Sequence, residues 1–140
     1  MAVQPYLFFN GRCEEALAFY QERLGAKVEM MMRFKENPDA GAEQMKVDPE
    51  AVMHASLRIG DAMIMCSDGM ANDGRTNFQG FSLALDVATE AEADRAFEAL
   101  ARDGQIQMPI GKTFFSPRFG CVADKFGVSW MVGVPGEMQK

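Results

Sequence analysis

The chain holds one histidine, His54, inside the alternating stretch MHASLRIG at residues 53–60. Imidazole exchanges a proton near neutral pH, which makes His54 the first candidate for proton transfer. A histidine without further ligands does not build a metal site. On a strand, His54, Ser56 and Arg58 share one face, and that face either lines a pocket or meets water. The next polar pair, Ser67 and Asp68, ends an apolar run in the turn sequence SDG. Asp68 can serve as a base or a hydrogen-bond acceptor, and Asp before Gly is equally a turn residue. In KTFFSPRFG (112–120) the two aromatics Phe114 and Phe115 can wall an apolar cavity. Arg118 in the same stretch can hold an anionic group or simply stand at the surface. Near the C-terminus VADKFGVSWM pairs the only tryptophan, Trp130, with Met131. Either residue can be core or contact a ligand.

The composition narrows the classes. With 140 residues, 48% apolar and 24% charged, the chain fits one domain with a real core. A net charge of -6 and no visible basic patch argue against nucleic acid. Every apolar run falls well short of a membrane span, and no signal peptide opens the chain, so a cytoplasmic protein is expected. Cys13, Cys66 and Cys121 are odd in number and widely spaced, which reads as free thiols rather than disulfides or a zinc ladder. Twelve methionines are mostly gap-filling core residues on this reading.

The elements that position these residues recur in the same order twice. Strand 5–11 closes on Asn-Gly; a helix over 13–25 starts with acidic residues and stops at Gly25; strands follow at 26–34, 51–60 and 62–68. Residues 35–50 are polar and broken by proline, an excursion that can act as a lid. After 69–80 comes strand 81–87, then a helix over 89–104. Thr89 is its expected N-cap, Glu92 the capping-box partner and Gly104 the stop. Three further strands begin at 105, 118 and 128. Each half reads β-α-β-β-β, with module one at about 1–69 and module two at about 78–135 of a single 1–140 domain. Asp124 and Lys125 build the turn into the last strand.

The stretches PYLFFNGRCEEALAFYQERLGA, HASLRIGDAMIMCSDG, GFSLALDV and FGCVADKFGVSWMV resemble the vicinal oxygen chelate superfamily, also called glyoxalase/bleomycin resistance/dioxygenase. More closely they resemble its PhnB-like branch, labelled 3-demethylubiquinone-9 3-methyltransferase. The resemblance implies an α+β fold in which two βαβββ modules form a curved mixed-sheet cup with helices outside. It implies a small-molecule ligand and a homodimer. The superfamily's metal enzymes, lyases, isomerases and dioxygenases, place four ligands on the first and last strands of each module. Those positions fall here at about Pro5, Met65, Ser82 and Met131, none a competent ligand for a hard divalent ion, so no metal or cofactor is expected. With Met131 facing into the cup, Trp130, Val132 and Val134 face outward beneath a helix. On the fifth strand Phe81, Leu83, Leu85 and Val87 share that outward face. The expected cup lining is Leu7, Phe9, His54, Met65, Ser67, Ser82, Phe114, Phe115 and Met131, with His54 and Asp68 the candidates for chemistry. The methyltransferase activity of the label is discounted, because the chain has no Gly-rich loop in a doubly wound sheet.

Overall fold

Alternation of side chains along each strand decides which face meets a helix, and the helices are short enough to cover one face only. In the computed structural model, residues 1–37, 47–70 and 73–136 are described. The chain divides into two compact units, Met1–Thr76 and Asn77–Lys140.

The first unit runs β1 (Tyr6–Phe8), α1 (Cys13–Leu24), β2 (Lys27–Arg33), a 3-10 turn at Phe34–Glu36, β3 (Val52–Ile59) and β4 (Ala62–Ser67). Its sheet has the order β1-β4-β3-β2, with β1 parallel to β4 and the other pairs antiparallel. The core lies between this sheet and α1. Leu7, Phe9, Ala55, Leu57, Ile64 and Cys66 from the sheet are buried, as are Ala16, Leu17, Phe19 and Tyr20 from the helix. Phe9 and Tyr20 meet with ring centroids 6.4 Å apart. Gly25 ends α1 in the left-handed region at φ 66, where glycine has no Cβ to clash, and its N–H donates to the Tyr20 carbonyl.

The second unit repeats the plan: β5 (Leu83–Asp86), α2 (Glu90–Ala101), β6 (Gln105–Gly111), β7 (Phe119–Ala123) and β8 (Ser129–Gly133). The sheet order is β5-β8-β7-β6, and β5 is parallel to β8. Phe97 and Leu100 of α2 are buried, as are Val122, Trp130 and Val132 of the sheet. Thr89 caps α2 as expected, its hydroxyl accepting from the Glu92 N–H at 3.1 Å. The helix stops at Ala101, three residues before the expected Gly104, because Asp103 turns left-handed at φ 65. Gly104 instead allows β6 to start hard against β7, since a Cβ there would collide with the Ala123 carbonyl.

One further expectation is corrected. Strand pairing in β5 begins only where Leu83 meets Trp130. Phe81 therefore lies outside the ladder, 42% exposed and edge-on to Phe78, rather than on the helix-covered face. Of the 35–50 excursion, residues 38–46, and with them the expected lid, lie outside the described residues. Its flanks are clamped together: Phe34 and Lys35 donate backbone N–H groups to Ala51 and Pro49, both at 3.0 Å.

Candidate functional site

The face of the first sheet turned away from α1 is built by the alternate residues of four strands. One cross-strand row reads Tyr6, Met65, Ser56, Met30, and Met32 on β2 pairs with His54 on β3. Tyr6 is 38% exposed and Phe8 52%, while Met65, Ser56, Met32 and His54 are half-buried. This is an apolar, sulfur-rich and aromatic surface with one imidazole set in it.

Tyr6 gives that imidazole a direction. Its hydroxyl lies 2.8 Å from His54 Nδ1, the two ring centroids are 5.5 Å apart, and the Phe8 ring, tilted against that of Tyr6, lies 5.1 Å from it. Partial burial, with smaller contributions from the nearby Cys66 and Cys13, pushes the Tyr6 phenol above its ordinary 10.0. Tyr6 therefore keeps its proton, and its hydroxyl shares one hydrogen bond with Nδ1, which holds the ring in place. The other ring nitrogen, Nε2, has no hydrogen-bond partner among the described residues. A polar atom fixed in this way, surrounded by methionine and aromatic surface, can pair with a polar group of a small molecule. At the far end of the face, Arg58 is paired with Glu29 at 3.0 Å.

Several expected site residues stand elsewhere. Leu7 and Phe9 do not line this face; they point beneath α1 in the core, since Tyr6 and Phe8 take the alternate positions. Ser67 is buried, and its hydroxyl is committed to the Val52 carbonyl and the Gly69 N–H. Asp68 is buried and tied to the backbone. It accepts from the backbone N–H groups of Gly11, Cys13 and Val52 at 2.7–2.9 Å.

In the second unit Trp130 is core, 2% exposed, its indole N–H donating to Asp124 at 2.9 Å. Asp124 also receives the Phe126 and Val128 N–H groups and so makes the turn into β8, as expected. Met131 lies on the opposite face, 38% exposed. Ser82 is exposed and precedes β5. Phe114 projects from the surface at 88% exposure, while Phe115 packs on Phe119 with centroids 4.9 Å apart. They flank an open groove of about 530 Å³ with Lys112, Ser116 and Pro117, not an enclosed wall. Arg118 is paired with Asp94 of α2 at 2.7 Å, which holds its guanidinium pKa up.

The residues missed in the sequence are Tyr6 and Phe8, with Met30 and Met32 beside them. YLFF is apolar on both alternating faces, so alternation alone could not tell the helix-covered pair from the open pair.

Two βαβββ units, each with a parallel outer pair in a four-stranded mixed sheet and one covering helix, define the glyoxalase/bleomycin resistance fold. A glyoxylase/bleomycin resistance protein/dioxygenase domain from Frankia sp. EAN1pec superposes with TM-score 0.66 at 14% identity, covering 96% of this chain and 97% of that one. Within that fold the sequence is more specific. The family model described as 3-demethylubiquinone-9 3-methyltransferase matches residues 1–133, and the chain belongs to that family. It is 39% identical to Protein YjdN of Escherichia coli K12, over 96% of this chain and 95% of that protein. It is 38% identical to PA1353 of Pseudomonas aeruginosa, with TM-score 0.83 and coverage of 98% and 99%. The PhnB protein from Bacillus cereus, described as a putative 3-demethylubiquinone-9 3-methyltransferase, is 32% identical with TM-score 0.78 and coverage of 96% and 99%.

The side chains at the expected ligand positions 5, 65, 82 and 131 are Pro, Met, Ser and Met, and the first position is corrected: Tyr6, not Pro5, stands opposite Met65 on the open face. They do not fit the hard divalent ion that the superfamily's metal enzymes use, because thioethers are soft, proline has no donor and a hydroxyl is weak. No helix among the described residues is long and apolar enough to cross a membrane.

Proposed function

We propose that this protein binds a small, partly apolar molecule on the open face of its N-terminal sheet, with Nε2 of His54 as the polar anchor. The observation that carries the reading is the Tyr6–His54 hydrogen bond, which holds the ring and leaves Nε2 as a single directed polar atom in apolar surroundings. Ligand sites commonly have this character, an apolar lining with few placed polar groups. Methionines 30, 32 and 65 supply adaptable surface that suits more than one ligand shape. The likeness to PhnB-like proteins is consistent with a binding role. The family's methyltransferase name does not extend to it, since neither unit has the doubly wound parallel sheet with a Gly-rich turn that cradles such a cofactor. A metal-dependent lyase or dioxygenase is disfavoured by the donor set above. The ligand partner is thus a small molecule, and the protein acts as a cytoplasmic homodimer.

The test is a fragment screen with aromatic carboxylates and aldehydes, read by thermal shift and by the NMR signals of the His54 ring. Binders should move the His54 signals, and His54→Gln should weaken them about tenfold, the equivalent of one lost hydrogen bond of about 1.4 kcal/mol. Tyr6→Phe should weaken them several-fold by releasing the ring. Fragments that bind without touching the His54 signals, or equally well to both variants, would overturn the reading. Sedimentation at micromolar concentration tests the dimer.

A further inference from the structure

The second sheet carries a row of sulfur atoms that the function above does not use. Met131 on β8 pairs with Cys121 on β7, and Cys121 pairs with Met108 on β6. Register partners in an antiparallel ladder share a face. This face is turned away from α2, since the alternating Trp130, Val122 and Val132 are buried. Met131 is 38% exposed, and Cys121 and Met108 are half-buried, so the row meets solvent. The ladder slips between Ile106 and Met108, and the Gln107 amide comes 3.4 Å from the Ser129 hydroxyl beside the row. On the other side of Met131 the row continues into Ala84, which adds no bulk.

We propose that Met108, Cys121 and Met131 form a binding site for a soft monovalent metal ion of the Cu(I) class. Adjacent strands lie about 4.8 Å apart, which puts the two methionine backbones roughly 10 Å apart across Cys121. Each methionine, with three rotatable bonds, is long enough to reach across its half of that gap to a common centre above the cysteine. Two thioethers and a thiolate select Cu(I), whereas hard cations need oxygen ligands. Strands β6, β7 and β8 carry no charged residue, and Asp86 is the one charge on β5. The thiol balances the reaction: Cys121–SH and Cu⁺ give Cys121–S–Cu and a released proton.

The first sheet supplies an internal control. Its equivalent row runs Tyr6, Met65, Ser56, Met30, with a serine where the second sheet has Cys121. One site per chain therefore follows rather than two.

Anaerobic titration of the full chain with Cu(I) against bathocuproine disulfonate tests the proposal. One equivalent should be withdrawn from the competitor, with release of one proton and an affinity that rises about tenfold per pH unit below the thiol pKa. X-ray absorption should give a sulfur-only shell. Cys121→Ser should weaken binding at least a hundredfold, and the conservative Met131→Leu and Met108→Leu about tenfold each. Circular dichroism checks that each variant is folded, and the surface-lying Met131→Leu keeps the test open if Cys121→Ser is not. Copper left with the competitor, full binding by Cys121→Ser, or displacement of the copper by equimolar Zn²⁺ would each overturn the proposal.

Discussion

Replacing Asp68 separates a structural carboxylate from a catalytic one. Its Oδ1 accepts from the Gly11 and Cys13 N–H groups at 2.9 and 2.8 Å, and its Oδ2 accepts from Val52 at 2.7 Å. Arg12 at the N-cap of α1 provides no side-chain cap, so Asp68 satisfies the first turn of that helix from another strand. Asp68→Ala strands three backbone donors, two of them buried. At about 1–3 kcal/mol each, less whatever an entering water recovers, the loss is about 3–5 kcal/mol. Asp68→Asn keeps an acceptor for two donors but turns an NH₂ toward the third, and should cost about 2–3 kcal/mol. Against a typical total of about 5–15 kcal/mol, the alanine variant is near the edge of folding. Urea unfolding followed by circular dichroism measures both losses, and hydrogen exchange should show the Cys13 and Val52 amides losing protection first. If Asp68→Asn unfolds within about 0.5 kcal/mol of the parent, below the range for such a loss, the carboxylate does not hold the structure and its availability for chemistry must be reconsidered.

Tyr6 should ionise later than a tyrosine of the unfolded chain, because burial raises its phenol above 10.0. The folded state then holds a proton that the unfolded state releases, so stability falls as pH rises through 10 and beyond; Tyr6→Phe should flatten that alkaline loss in a thermal melt series. Gly104→Ala drives a Cβ into the Ala123 carbonyl and should cost about 2–3 kcal/mol or more. Gly60→Ala, with open space but φ +57, should cost only about 1–2 kcal/mol. Chemical denaturation of the two variants checks the order. Thr89→Ala should cost about 1 kcal/mol through the lost cap on Glu92 N–H, and an unchanged midpoint would mean α2 starts without it.

What the sequence could reveal depended on the range of the interaction. Thr89 and Gly25 act within a turn of themselves, and both helix ends were legible. The β-α-β-β-β order was legible twice because each element carries its own period. Trp130 and Met131 fell on opposite faces as alternation requires. The polar residues that looked chemical were harder, because their partners are far along the chain. Asp68 binds Gly11 and Cys13, and His54 meets Tyr6 48 residues away. No local pattern distinguishes a carboxylate that will receive three N–H groups from one that will face a ligand. In YLFF the helix-covered and open faces are equally apolar, so Leu7 and Phe9 took the place that belongs to Tyr6 and Phe8.

The reach of Asp68 bears on how the chain is made. Cys13 and Asp68 are 55 residues apart, and β1 has its parallel partner only in β4, at a similar distance. At about 5–20 residues per second, α1 leaves the ribosome roughly 3–11 s before the residue that caps it. During that interval its apolar face and the open edge of β1 have neither sheet nor cap. The β3–β4 hairpin and the turn after it, made last in the first unit, therefore supply both the missing strand partner and the cap. A slow codon run would prolong the exposure only if it is read after α1 has left the exit tunnel and before Asp68 has.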